Sequence, residues 1–315
     1  MAKILLTRRF PENGIKLLSS KHQLDISDNP MSYEELYEKI EKYDGVVSML
    51  SDRFDKAMIE KAKRLKIISN YAVGYDNIDM KAAKDQNITV TNTPDVLTEA
   101  TAELAFALIL AVSRRLLEGD RFVKDGKFKG WEPLLLLGKE VSGANLGIIG
   151  FGRIGQAVAR RAREFSMNIF YYQRNRNIDA EREYDALFLP LEELLAKSDI
   201  ISINAPLNKE SYHLINKERL SMIKKGAVIV NTGRGAIIDE KELANALKSG
   251  KLAGAGLDVY EYEPTVTKEL LKMNNVMLLP HLGSSTVKTR EKMAKMAANS
   301  IIDYFDGKKP AHIVE

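Results

Sequence analysis

The 315 residues amount to two domains' worth of chain, since single cores stop growing near ~250–300 residues. Hydrophobic residues at 45% and charged residues at 29% exclude the disordered and fibrous classes and leave enough apolar side chain for real cores. Cysteine is absent and the net charge is only +4, which removes disulfides, thiolate catalysis and cysteine-based metal sites, and makes nucleic acid a poorer partner than a small anion.

The N-terminal Met1-Ala2-Lys3-Ile4-Leu5-Leu6-Thr7 meets Arg8-Arg9 before it can supply the apolar core of a signal peptide. Residues 104–112 form the longest apolar run, about half of the ~20 residues a membrane span needs, so a cytoplasmic protein without a membrane partner is expected. Short apolar runs at 3–7, 45–49, 66–69 and 88–91 read as strands separated by amphipathic stretches, the pattern of a parallel sheet covered by helices. Ser32 and Glu35 have capping-box spacing ahead of apolar residues recurring at three and four through Ile40, which predicts a helix before the second of those strands. Residues 98–115 read as one long helix, with Thr98 and Thr101 as candidate caps, Glu99 and Glu103 suiting the positive end, and Arg114-Arg115 the negative end.

Beyond that helix the alternation restarts, with strands expected at 145–150, 168–172, 199–204, 227–231, 253–259 and 276–279. A final helix is predicted over 287–306, placed to return to the first domain and make it discontinuous. The densest basic cluster, Arg160-Arg161-Ala162-Arg163, falls on a helical pattern with no interleaved aromatics and reads as a solvated face.

Gly150-Phe151-Gly152-Arg153-Ile154-Gly155 follows the apolar run 146–149 and opens a helical pattern from Gln156. A strand before and a helix after are what a dinucleotide site requires: a tight turn, close backbone approach to the pyrophosphate, and free N–H groups at a helix start. NAD-preferring sites place a carboxylate at the end of the next strand, about 20 residues on. Here that stretch is Tyr171-Tyr172-Gln173-Arg174-Asn175-Arg176, with no carboxylate before Asp179. Arg174 and Arg176 suit a 2′-phosphate, so NADP(H) is the expected cofactor and NAD(H) the alternative.

Among the four histidines, at 22, 213, 281 and 312, His281 lies in Pro280-His281-Leu282-Gly283, directly beyond a predicted strand, where open αβ sheets place ligands. Arg234, in Asn231-Thr232-Gly233-Arg234-Gly235, also follows a strand, and its flanking glycines favour a sharp turn that exposes the guanidinium to a carboxylate or carbonyl. Asp258-Val259-Tyr260-Glu261-Tyr262-Glu263-Pro264 follows a third strand. A carboxylate from it beside His281 would favour the imidazolium form. Asp258, Glu261 and Glu263 are all candidates by spacing.

The chain resembles the D-isomer-specific 2-hydroxyacid dehydrogenases, most of all the glyoxylate/hydroxypyruvate reductases among them. The resemblance rests on NYAVGYDNID at 70–79, TNTPDVLTEATAELAFALIL at 91–110, GIIGFGRIGQAVARRA at 147–162, NTGRGAIID at 231–239, AGAGLDVYEYEP at 253–264 and LLPHLGSST at 278–286, and covers nearly the whole chain. It implies two doubly wound parallel-sheet α/β domains: a Rossmann dinucleotide-binding domain at 98–286, inserted into a flavodoxin-like substrate domain at 1–97 and 287–315.

The resemblance also implies a catalytic group of Arg234, Glu263 and His281, with Asp258 on the cofactor side. Along the dinucleotide it places Thr98, the glycine loop from Gly150 to Gly155, Gln173, Arg174, Asn175, Pro206, Thr232, Gly233, Leu282 and Gly283. Backbone N–H groups at Val73 and Gly74 are implied to hold the substrate carboxylate, with Leu50 and Ser51 lining the same cleft. Trp131 matches a tryptophan that related reductases insert into a neighbouring subunit's site, and a homodimer is implied with it.

The expected reaction is reduction of a small 2-keto acid, glyoxylate or hydroxypyruvate, by hydride transfer while protonated His281 donates its proton; no metal is required. The rival readings are a 2-ketogluconate reductase, a phosphoglycerate dehydrogenase, and a dinucleotide-sensing corepressor. The complete Arg, Glu and His group weighs against a pure sensor. A chain ending at Glu315, without an added regulatory domain, weighs against many phosphoglycerate enzymes.

Overall fold

A computed structural model describes residues 1–314, which fall into two compact units: Met1–Leu97 with the segment from Ser284 onward, and Thr98–Gly283. The return to the first unit therefore begins at Ser284, ahead of the predicted helix rather than at Val287.

The first unit holds β1 (Lys3–Leu6), α1 (Glu12–Ser19), β2 (Gln23–Ile26), α2 (Tyr33–Lys39), β3 (Gly45–Ser48), α3 (Lys56–Lys61), β4 (Ile67–Asn70), α4 (Met80–Asp85) and β5 (Thr89–Thr91). Its sheet is parallel, in the flavodoxin-like order β2-β1-β3-β4-β5. The capping box is formed: Ser32 accepts from the Glu35 N–H while the Glu35 carboxylate accepts from the Ser32 N–H. β2 was not legible as an apolar run because it is an edge strand whose side chains are only exposed or half-buried.

The second unit runs through α5 (Thr98–Ser113), α6 (Leu116–Lys124), β6 (Asn145–Ile149), α7 (Arg153–Glu164), β7 (Asn168–Tyr172), α8 (Ile178–Tyr184), β8 (Ala186–Phe188), α9 (Leu191–Lys197), β9 (Ile200–Ile203), α10 (Lys217–Met222), β10 (Ala227–Asn231), α11 (Glu240–Lys248), β11 (Leu252–Leu257) and β12 (Val276–Leu278). The chain then re-enters the first unit through α12 (Val287–Phe305), where the Ser69 hydroxyl donates to the Ala297 carbonyl at 3.0 Å. Close packing there requires glycine, since a Cβ at Gly14 of α1 would stand 2.8 Å from the Ala294 carbonyl oxygen.

The second sheet is also parallel, in the order β12-β11-β10-β9-β6-β7-β8. Side chains alternate between two cores: Ile201, Ile203 and Ile229 face α9, α10 and α11, while Ile200, Val228 and Val230 face α5 and α7. The strand order reverses at β6, so the loops after β6 and β9 flank the crevice where doubly wound sheets bind ligands.

The helix expected over 98–115 stops at Ser113. Arg115 adopts the left-handed conformation at φ 53°, and α6 starts after it. The cause lies elsewhere in the chain: Gly138 crosses the helix end so closely that a Cβ would sit 2.5 Å from the Ser113 carbonyl oxygen, which also accepts from the Lys139 N–H at 2.8 Å. Thr101 is not a cap. It is buried within α5 and donates to the Gly283 carbonyl at 3.1 Å. Among the described residues no helix is long and apolar enough to cross a membrane.

Candidate active site

The glycine loop leaves β6 at Gly150, whose φ of +89° and a Cβ position only 2.6 Å from the Ala205 nitrogen both require glycine. Gly155 lets α7 pack on the strand, since its Cβ would fall 2.2 Å from the Gly150 carbonyl oxygen. At Gly152 nothing stands within 4 Å of a Cβ, so the backbone at the start of α7 is open to a ligand. This shape fits a pyrophosphate held by N–H groups at a helix N-terminus. Within the loop, Arg153 is exposed and Ile154 half-buried. Phe151 contributes backbone only: its side chain is 1% exposed, stacked on Tyr171 at 4.2 Å, and its carbonyl accepts from Gln156.

At the end of β7 the two arginines differ. Arg176 closes a two-point ion pair on Glu181, at 2.7 Å for each bond, and Tyr171 donates to the same carboxylate. Two of its guanidinium nitrogens are therefore engaged by Glu181 of α8. Arg174 is exposed and pairs with exposed Glu210, which lies in the loop beyond Pro206. Gln173 folds onto the Asn175 carbonyl. Half-buried Thr98 is the first residue of α5.

Beyond β10, Asn231 builds the turn that carries Arg234. Its side-chain oxygen accepts from the Gly233 N–H at 3.0 Å and its amide donates to the Arg234 carbonyl at 2.9 Å. Thr232 donates to Asn204, and a Cβ on Gly233 would lie 2.7 Å from the Ala205 carbonyl oxygen. The next residue, Gly235, would place a Cβ 1.8 Å from the Tyr260 carbonyl carbon, so the turn after Arg234 lies directly against the segment that follows β11.

That segment supplies Asp258 and Glu263. Asp258 is 1% exposed and accepts from the Leu282 N–H at 2.6 Å and the Gly283 N–H at 2.8 Å, while its carbonyl accepts from the His281 N–H at 3.0 Å. Burial pushes its carboxyl up, only partly offset by the Leu282 N–H, the His281 charge and the Gly283 N–H. Asp258 thus bears on the 281–283 loop by fixing its backbone. His281 is held in the left-handed conformation, φ 55°, with Nδ1 3.0 Å from Glu263 Oε2.

Glu263 Oε1 accepts from the Tyr260 N–H at 3.1 Å. Burial opposes ionisation of Glu263, but its bond to His281, the His281 charge, the Tyr260 N–H and the Arg234 charge together hold the carboxyl below its usual value. A guanidinium, an imidazole and an ionised carboxylate thus converge beyond the ends of β10, β11 and β12. Such a group can bind an anionic oxygen and deliver a proton to a neighbouring one.

In the first unit, Val73 and Gly74 follow β4. Asn92 Nδ2 donates to the Val73 carbonyl and Asn70 Nδ2 to the Gly74 carbonyl, each at 2.8 Å, with Asn70 itself held by the Ser48 hydroxyl. Because C=O and N–H point oppositely across a trans peptide, these bonds turn the N–H groups of Gly74 and Tyr75 the other way. Leu50 and Ser51 sit in a turn fixed by buried Asp52, which accepts from the Met49 N–H at 2.7 Å, and by Asn77, which donates to the Met49 and Asp52 carbonyls. Asn70, Asn77, Asn92 and Asn231 were not singled out in the sequence. For Asn231 the signal was there, an Asn placed to bond two residues on before a glycine turn.

A family model described as D-isomer specific 2-hydroxyacid dehydrogenase, NAD binding domain, matches residues 106–283. The chain belongs to this family. It is an oxidoreductase of the 2-hydroxyacid dehydrogenase type and uses a nicotinamide dinucleotide. A glyoxylate reductase of Thermococcus onnurineus is 48% identical over 99% of this chain and 95% of its own length. A crystal structure from Thermus thermophilus superposes with a TM-score of 0.92 at 40% identity, covering 99% of this chain and 100% of that one. An NADPH-dependent glyoxylate/hydroxypyruvate reductase from Sinorhizobium meliloti, solved with NADP and malonate, gives a TM-score of 0.89 at 30% identity, covering 99% and 96%. Trp131, in the second unit, is 84% exposed.

Proposed function

We propose that this dehydrogenase reduces glyoxylate or hydroxypyruvate to glycolate or D-glycerate. The observation that carries the reading is the His281–Glu263 bond at 3.0 Å, with the Arg234 charge acting on the same carboxylate. Nδ1 faces Glu263, so Nε2 is the nitrogen from which a proton reaches the substrate oxygen. Arg234 binds the keto and carboxylate oxygens and stabilises negative charge as it grows on the former carbonyl. Glu263 keeps His281 oriented and favours the charged ring. In the first unit the N–H groups of Gly74 and Tyr75 are the donors proposed for the substrate carboxylate, with Leu50 and Ser51 in the neighbouring turn, and Trp131 is proposed to serve the site of a neighbouring subunit.

The reduced dinucleotide supplies the hydride; the open backbone at Gly152 and the start of α7 suit its pyrophosphate, with Thr98, Pro206, Thr232, Gly233 and the 281–283 loop along its length. NADP(H) is the preferred form in this reading, supported by exposed Arg174 and by the Sinorhizobium relative named for NADPH. A homodimer is supported by the residues between α5 and β6, where Leu116, Val123, Phe128, Trp131, Leu134 and Leu137 are each more than half exposed.

The test is loss of NADPH absorbance on adding glyoxylate, hydroxypyruvate or 2-ketogluconate to the purified protein. Turnover of the first two above the third is expected. Turnover of 2-ketogluconate alone, or of none, would overturn the assignment.

A further inference from the structure

Two imidazole–carboxylate pairs share the seven-residue segment after β11. Glu263 meets His281; Glu261, two residues earlier, meets His213, with Nε2 2.7 Å from Glu261 Oε1. The Glu261 side chain is only 5% exposed, and its second oxygen accepts from the Glu240 N–H at 3.3 Å, at the first turn of α11. His213 is equally fixed. Its backbone N–H donates to the Ala236 carbonyl at 2.8 Å, its ring stacks on Tyr212 at 4.1 Å, and its Nδ1 stands 4.0 Å from Asp239, the cap of α11.

The chain around His213 is joined to the turn after Arg234 as well, through the Ile215 N–H on the Ile237 carbonyl and a parallel bridge between Ile215 and Ile238. That turn touches Tyr260 directly at Gly235. His213 and Glu261 therefore tie together the two segments that carry Arg234 and Glu263. Neither side chain is needed for proton transfer, yet a carboxylate so buried is retained only with its hydrogen bonds made.

We infer that His213 and Glu261 are a positioning pair, which holds the 258–263 segment so that Glu263 stays within hydrogen-bonding distance of His281. The inference rests on the proposed roles of Glu263 and His281 only in its kinetic arm. Loss of the anchor lets Glu263 drift, and displacements near 1 Å cost catalysis up to a hundredfold.

The test uses the full-length protein with its histidines labelled with nitrogen-15. Ring nitrogen shifts, read through the carbon-bound ring protons, report whether His281 Nδ1 is engaged by Glu263, with Glu263→Ala, which has no acceptor there, as the disengaged reference. In Glu261→Ala, and in His213→Ala should the first not fold, the His281 Nδ1 shift is expected to move at least half-way to that reference. His213→Gln, which keeps a donor toward Glu261, should restore most of the wild-type position. In the kinetic arm kcat falls about tenfold or more while the KM for the dinucleotide is unchanged.

Wild-type His281 shifts in the alanine variants would overturn the inference. So would equal losses in kcat and in dinucleotide affinity, which mark general damage. A wild-type protein that reduces no keto acid would defeat the proposed function instead, and leaves the spectroscopic result standing on its own.

Discussion

His281 Nδ1 and Glu263 Oε2 face each other at 3.0 Å, although their Cα positions are carried by loops beyond two different strands, β12 and β11. In the proposed mechanism the pairing commits one ring nitrogen to orientation and leaves the other for proton transfer. Replacing His281 with Ala is expected to lower kcat by about a hundredfold or more, the scale of a positioned general acid, with dinucleotide binding intact. Steady-state rates and a fluorescence titration of NADPH check this. A folded variant turning over near the wild-type rate would defeat the proton-donor role.

Arg234 offers a planar fork from a turn stiffened by Asn231. Lysine carries the same charge but cannot make a parallel two-point contact with a carboxylate or share it with a carbonyl oxygen. Arg234→Lys should therefore reduce kcat/KM for the keto acid by roughly a hundredfold, comparable to losing a charge-stabilising donor. Unchanged kinetics in that variant would count against the clamp.

The buried strands of both sheets were legible because a strand covered on both faces is a continuous apolar run, as in Val228, Ile229 and Val230. The edge strands β2 and β8 were not, since one lacks buried residues and the other has three residues in all. The break between α5 and α6 was also out of reach, because Gly138, 25 residues beyond Ser113, imposes it. In the site, strand-end positions drew attention to Arg234 and His281. Spacing could not divide Asp258, Glu261 and Glu263: the first turns onto backbone N–H groups, the second onto His213 and the third onto His281. That division depends on loop conformation, which no periodicity encodes.

Asp258 is the fastening of the His281 loop, with both oxygens accepting backbone N–H groups in a buried site. Asparagine keeps one acceptor and sets an NH2 group against the other N–H. Asp258→Asn should cost about 1–3 kcal/mol of stability, as for a buried donor left unpaired, and should slow turnover through the displaced His281. Urea unfolding measures the first effect. An unfolding midpoint equal to wild type would show that the loop does not depend on this carboxylate.

Glu181 links α8 to the end of β7. The Arg176 guanidinium, aided by the Tyr171 hydroxyl and opposed by burial, holds its carboxyl down to about 2, against an ordinary value of 4.5. A folded-state value below the unfolded one means that the unfolded chain takes up the proton first on acidification. The stabilisation is then complete above about 4.5 and is lost as pH falls toward about 2. The difference in unfolding midpoint between wild type and Glu181→Gln should accordingly be largest near neutral pH and shrink at about pH 3. A difference that stays constant across that window would exclude the linkage.

The same ion pair sets the two arginines apart for the proposed NADP(H) preference. Arg176 is engaged by Glu181, whose side chain is 11% exposed, whereas Arg174 pairs with the exposed Glu210. A charged hydrogen bond to a 2′-phosphate contributes about 1.5–3 kcal/mol, so Arg174→Ala should raise the KM for NADPH roughly ten- to hundredfold and leave that for NADH within about twofold. Arg176→Ala should lower stability without changing the ratio of the two constants, because its guanidinium braces α8. Parallel measurements of both cofactors on both variants decide the point. Equal effects of Arg174→Ala on NADPH and NADH would remove the basis for an NADP(H) preference, and a changed ratio in Arg176→Ala would return that residue to the cofactor site.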